Sequence, residues 1–145
     1  MPEILKMQYV IAADDFTAAG EAAAAVKQTL KQLGFLSETI RRASIAMYEG
    51  EINTDIHGGG GIAEVEIAED YIKIALKDKG PGIPDVELAM KEGWSTASDY
   101  VRELGFGAGM GLPNIKKHSD ELRIETEVGK GTTLYITIYS GQSTT

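Results

Sequence analysis

Cysteine is absent from the 145 residues, which excludes a disulfide framework, a thiolate metal site and a cysteine nucleophile. Basic residues are scarce: 14 Lys and Arg stand against 22 Asp and Glu, for a net charge of −8. The only adjacent basic pairs are Arg41-Arg42 and Lys116-Lys117. Binding to nucleic acid needs clustered Lys and Arg, so no nucleic-acid partner is expected, and the negative charge reads as solubility. Long apolar runs are missing too, all falling far short of the about 20 residues of a membrane span. The start, MPEILKMQYV, lacks the basic lead and apolar stretch of a signal peptide. A soluble, cytoplasmic protein without a membrane partner is the expectation. The composition, 43% hydrophobic and 25% charged, is that of a globular chain. Residues 1–145 are read as a single domain, long enough to bury one core.

Glycine, by contrast, is abundant and clustered. Residues 105–115 read GFGAGMGLPNI, with Gly105, Gly107, Gly109 and Gly111 at every second position ahead of helix-compatible sequence. Upstream, residues 4–13 suit a first strand, and Asp14-Asp15 an N-cap. The alanine-rich stretch Phe16 to Leu33 reads as a helix stopped by Gly34, and Ser37 as the N-cap of a second helix to about Ile56. The run Gly58 to Gly61 makes a link. Ile62–Glu69 and Tyr71–Lys77 alternate with period two, as in a hairpin with one apolar face. A short helix is expected near 84–91, an irregular loop over 93–108 and a helix over about 110–119. Strands at 121–128 and 132–139 follow, joined by Gly129-Lys130-Gly131. Helices and strands are segregated, which predicts an α+β fold: a sheet with helices on one face. A doubly wound dinucleotide fold fits poorly, since the glycine loop does not follow the first strand.

Three stretches carry chemistry, and each has a plainer reading. Glu49 and Asn53 are four apart, neighbours on one helix face. Their oxygens suit Mg²⁺ and the orientation of a hydroxyl, although an exposed polar face would show the same spacing. His57 reads as a helix-terminal charge rather than a catalyst. Asp78-Lys79-Gly80-Pro81-Gly82-Ile83 follows a strand. Its glycines let backbone approach a flat ligand, with Asp78 free to accept from an amine such as that of adenine; a simple strand-to-helix turn uses the same residues. In the glycine stretch, residues without Cβ let successive N–H groups curl round an anion, and the following helix adds its positive end. A phosphate chain is the natural occupant. A mobile linker does not explain the spacing, and no Gly-Lys-Ser/Thr makes it a Walker loop.

Together, Glu-x-x-x-Asn on a helix, Asp-x-Gly-x-Gly-Ile after a strand and Gly-x-Gly-x-Gly-Leu before a helix resemble the GHKL ATPase superfamily of gyrases, histidine kinases and MutL. The likeness covers nearly the whole chain. Within that superfamily, the lone ATP-binding domain, the segment ELAMKEGWSTAS and the run GMGLPNIKK resemble the small serine/threonine kinases that act as anti-sigma factors or stressosome switches. The resemblance implies a Bergerat fold, a two-layer α/β sandwich with a mixed, mainly antiparallel sheet. It implies ATP and Mg²⁺ as cofactors, with Asn53 as the metal ligand and Glu49 as base or orienting group for the attacking serine hydroxyl. Asp78 would accept from the adenine amine, and Gly80, Gly82 and Ile83 would shape the pocket. Gly105, Gly107, Ala108, Gly109, Met110, Gly111 and Leu112 would line the phosphates. Thr132 or Thr133 would stand near adenine, and residues 93–108 would form an ATP lid with Trp94 at its edge.

The implied substrate is a STAS-domain regulator, with a sigma factor or a phosphatase as competing partner. A homodimer through the first strand and helices is compatible with the sequence. Arg102 reads as a solvated charge rather than an arginine finger. Two departures stand out. The segment 96–104 lengthens the lid, and Glu51 and Asp55 flank Asn53; both lie off the Glu49–Asn53 face and read as solvated charges. The rival functions are a non-catalytic, nucleotide-dependent module that sequesters a regulator, and a free-standing ATPase. A histidine kinase fragment would need a dimerising helix that carries a histidine.

Overall fold

The computed structural model describes residues 4–12, 20–56, 59–83 and 111–140, with Val86 and Met90. The elements are β1 (Leu5–Ile11), α1 (Glu21–Gln32), α2 (Ser37–Ile56), β2 (Gly61–Ile67), β3 (Tyr71–Asp78), α3 (Gly111–His118), β4 (Glu121–Glu127) and β5 (Gly131–Tyr139). The strands form one five-stranded sheet in the order β1-β2-β3-β5-β4. All four pairings are antiparallel, so the mixed sheet expected is antiparallel throughout the described residues.

Alternation along the strands sends one set of side chains inward. Ala63, Val65 and Ile67, then Ile72, Ile74 and Leu76, then Leu134, Ile136 and Ile138 are buried. Against them pack Val26 and Leu30 of α1, Ala43, Ala46 and Met47 of α2, and Leu112 and Ile115 of α3. The opposite face carries polar and aromatic groups. Lys77 Nζ lies 2.7 Å from Glu64, and the Arg123 guanidinium sits 4.3 Å over the Tyr135 ring. The architecture is the two-layer α+β sandwich that the segregated pattern implies.

α2 is the central helix, flanked by α1 and α3 and lying over β3 and β5. Gly50 makes that closeness feasible, since a Cβ there would fall 2.4 Å from Leu76 Cδ1. Several expected boundaries move. α1 begins at Glu21 with Gly20 as its N-cap, and residues 16–19 of the expected helix lie outside the described residues. Ser37 is the first residue of α2 rather than its cap, and the Ile40 N–H donates to the Leu36 carbonyl at 2.9 Å. Gly61 is the first residue of β2 rather than part of a link, paired with Asp78. The Asp14-Asp15 cap, His57 and the 93–108 lid lie outside the described residues, as does the 84–91 helix but for a Met90 N–H bond to the Val86 carbonyl.

Candidate nucleotide site

β3 ends at Asp78, whose carboxylate is held in place from two directions. Oδ1 accepts from the Gly80 N–H at 2.9 Å and from the Thr132 N–H at 3.1 Å. Among the described residues no donor reaches Oδ2. Thr132 is buried and Thr133, its neighbour, pairs with Lys77 on the outer side. Thr132 is therefore the threonine that belongs to this cluster. Its hydroxyl lies 2.9 Å from that of Thr126, which in turn accepts from the Ile83 N–H at 2.8 Å. Gly80, Gly82 and Ile83 are thus docked against the β4–β5 hairpin. Gly82 has φ +80°, and a Cβ there would meet the Glu127 carbonyl oxygen at 2.6 Å.

Glu49 and Asn53 lie one turn apart on α2, both half-buried. Glu49 Oε2 accepts from Asn114 Nδ2 of α3 at 3.0 Å. Beyond Asn53, the Thr54 carbonyl accepts from the Gly60 N–H at 2.9 Å, and Gly61 pairs with Asp78. The end of α2 and the end of β3 are thereby neighbours. α3 begins at Gly111, beside which a Cβ would find open space. Its first turn carries no acidic residue, while Lys116, Lys117 and His118 occupy its last. The first N–H groups of a helix lack internal partners and carry partial positive charge. Among the described residues no acidic side chain offsets that charge at the start of α3, which suits an anion. Arg42 of α2 fixes the far end, with Nε donating to the His118 carbonyl at 3.2 Å and NH2 lying 2.9 Å from Asp120 Oδ2.

The model of the histidine kinase-, DNA gyrase B- and HSP90-like ATPase family matches residues 25–142. The chain belongs to this ATPase family. It is similar to the serine/threonine-protein kinase RsbT of Bacillus subtilis, 33% identical over 110 residues that span 73% of this chain and 77% of the relative. It is also similar to the anti-sigma F factor of Clostridium beijerinckii, 33% identical over 121 residues, 79% of this chain and 81% of that one. A solved structure of the RsbU and RsbW domains of a Mycobacterium tuberculosis protein matches in fold. The TM-score is 0.60 at 18% identity, over 97% of this chain and 33% of that one.

Of the residues singled out in the sequence, this member of the ATPase family brings Asp78, Gly80, Gly82, Ile83 and Thr132 into one cluster and Glu49 beside α3. Leu112 is a core side chain, 6% exposed, so only its backbone is available to a ligand. Gly105, Gly107, Ala108, Gly109, Met110, Trp94 and Arg102 lie outside the described residues. One reading is overturned. Glu51 and Asp55 are not solvated: they are 3% and 1% exposed. Helical geometry does turn Glu51 away from Glu49, but towards α1 rather than water. Glu51 Oε2 accepts from the Gly20 and Ala22 N–H groups at 3.0 and 3.2 Å, and Oε1 from the Ala23 N–H at 2.9 Å. Those donors satisfy the buried carboxylate and tie it to the start of α1. Thr126 and Asn114 escaped the sequence reading. A hairpin closed at Glu127–Gly131 sets Thr126 opposite Thr132, a pairing that counting from the turn could have found.

A groove of about 730 Å³ crosses the outer sheet face between Lys6, Glu66, Lys73, Arg123 and Tyr135. It contains none of these site residues. Among the described residues no cluster of three His, Cys, Asp or Glu could hold a metal, and no helix is long and apolar enough to cross a membrane.

Proposed function

We propose that this chain is a Mg-ATP-dependent serine/threonine protein kinase of the anti-sigma regulatory type. Its substrate is a small STAS-domain regulator in the cytoplasm, and a sigma factor or phosphatase competes for the same kinase. The observation that carries this reading is the meeting of Glu49 with α3 one turn from the start of that helix. A carboxylate there stands where a hydroxyl would approach the end of a phosphate chain. The names of the relatives, a serine/threonine kinase and anti-sigma factors, support it.

The residues present fit the nucleotide. Among the described residues nothing donates to Asp78 Oδ2, which suits the adenine amine, and the start of α3, with no acidic residue in its first turn, suits phosphate. Without a three-carboxylate cage, Mg²⁺ would rest on Asn53 and the phosphates, the usual manner for this cation. Mg-ATP, when bound, supplies the phosphoryl group and the metal charge that offsets its negative charge. Glu49 orients the serine hydroxyl and accepts its proton. Asn53 holds the metal side of the site, and Asp78 with Thr132 fixes the base.

Glu49→Gln tests the reading. Transfer of ³²P from [γ-³²P]ATP to STAS-domain serine acceptors falls by at least a hundredfold, while calorimetry finds Mg-ATP binding kept. Transfer at the wild-type rate would overturn the role of Glu49. Sequestration of a regulator undisturbed by the variant, with no transfer by wild type, would leave a non-catalytic binding module.

A further inference from the structure

Asn114 lies in the first turn of α3, in the run Gly111-Leu112-Pro113-Asn114. Its side chain reaches α2. A carboxylate only accepts hydrogen bonds, so the group 3.0 Å from Glu49 Oε2 must be the amide nitrogen. The Asn114 backbone carbonyl is occupied separately, lying 2.8 Å from His118 Nδ1. The N–H of a fourth helical residue belongs to the helix ladder, as that of Ile40 does in α2, so the side chain is the part of Asn114 left to act outside α3. One residue therefore belongs to α3 by its backbone and holds the Glu49 carboxylate of α2 by its side chain.

From this geometry we infer that Asn114 is a positioning residue, which locks the Glu49 carboxylate in orientation and couples it to the placement of α3. The inference rests on the proposed kinase role of Glu49. With Oε2 engaged by Asn114, Oε1 is the oxygen left for the serine hydroxyl. A carboxylate at the end of a Glu side chain otherwise turns about three bonds, and each unproductive orientation lowers the rate without weakening nucleotide binding. The far end of α3 is anchored independently by Arg42 on the His118 carbonyl. Loss of the Asn114 bond thus leaves the helix seated on α2 while freeing Glu49.

Asn114→Leu keeps the branched heavy-atom outline and removes the donor. Single-turnover ³²P transfer is measured with water and with a STAS-domain serine protein as acceptors, together with Mg-ATP affinity by calorimetry and thermal midpoint. The expected result is a ten- to thirtyfold fall in transfer rate at saturating ATP, with ATP affinity within twofold of wild type. In the Glu49→Gln background the same substitution has no further effect on rate. Equal losses in both backgrounds, or a rate that falls only in step with ATP affinity, would make the bond mere helix packing and overturn the inference. A wild-type rate in Asn114→Leu with transfer abolished in Glu49→Gln would overturn it alone; full transfer in Glu49→Gln would overturn the kinase role of Glu49 beneath it. Asn114→Asp, which keeps size and polarity but cannot donate when ionised, takes the place of the leucine variant if that chain does not fold. Crystals of Asn114→Leu supply a readout free of turnover: the Glu49 carboxylate leaves its wild-type rotamer, and a carboxylate unmoved would refute the lock.

Discussion

A buried carboxylate is costly unless donors surround it, and Glu51 shows how this chain meets the condition. At 3% exposure it collects three N–H groups from the start of α1, where the helix dipole also favours negative charge. Glu51→Ala leaves those donors without partners in the interior. Hydrogen bonds to a charged group contribute about 1.5–3 kcal/mol each, and they do not add fully. A loss of about 3 kcal/mol is therefore expected, seen as a lower urea midpoint with an unchanged slope. Glu51→Gln retains one acceptor oxygen and loses less. If both variants matched wild type, Glu51 would not be the cap of α1. The exposed pairs of this chain offer a contrast: Glu38 with Arg41, 2.6 Å apart on the surface of α2, belongs to a class that contributes little. Its hydrogen bond to Arg41 holds the Glu38 carboxyl below its ordinary range, but water screens the pair.

Among elements, the turn from β3 into residues 80–83 is held more by backbone than by side chains. Gly82 lies at φ +80°, and the Glu127 carbonyl would stand 2.6 Å from a Cβ. A left-handed conformation costs an alanine about 1–2 kcal/mol, and here the clash is with backbone, which cannot swing aside. Gly82→Ala should lose about 2 kcal/mol or more of stability and also weaken ATP binding, because the Ile83–Thr126 contact and the frame round Asp78 shift together. Calorimetry separates the effects; unchanged affinity in a destabilised variant would detach this turn from the nucleotide. The turn itself was legible in the sequence through Asp78, Gly80 and Gly82, as were β2 and β3 through strict alternation and the extent of α2 from Ser37 to Ile56. Glu51 was not. Periodicity reports which face a residue shares, and Glu51 lies opposite Glu49; it cannot report whether that opposite face meets water or another helix. α2 has a helix on either side, so the face read as solvent is an interface. Asn114 was hidden for a related reason, since only the packing of α3 on α2 brings it to Glu49.

For the molecule as a whole, the residues proposed to hold nucleotide come from elements distant in sequence: Glu49 and Asn53 from α2, Asp78 from the end of β3, Thr132 from β5 and the start of α3. A ligand bridging them binds the folded chain and not the unfolded one, so it must raise stability by mass action. At a hundred times the dissociation constant the gain is about 2.7 kcal/mol. With the unfolding entropy typical of 145 residues, that corresponds to a rise in melting temperature of roughly 9 °C. Mg-ATP should therefore lift the midpoint progressively with concentration, and Asp78→Ala should abolish most of the shift. Arg123→Ala supplies the control. Arg123 stacks on Tyr135 across the outer groove, on the sheet face away from the helices, and its variant should keep the full shift. A shift lost in Arg123→Ala and kept in Asp78→Ala would move the nucleotide to the outer face. A folded chain whose midpoint ignores Mg-ATP at every concentration would leave the glycine motifs as scaffold, and the kinase reading would fall with the site.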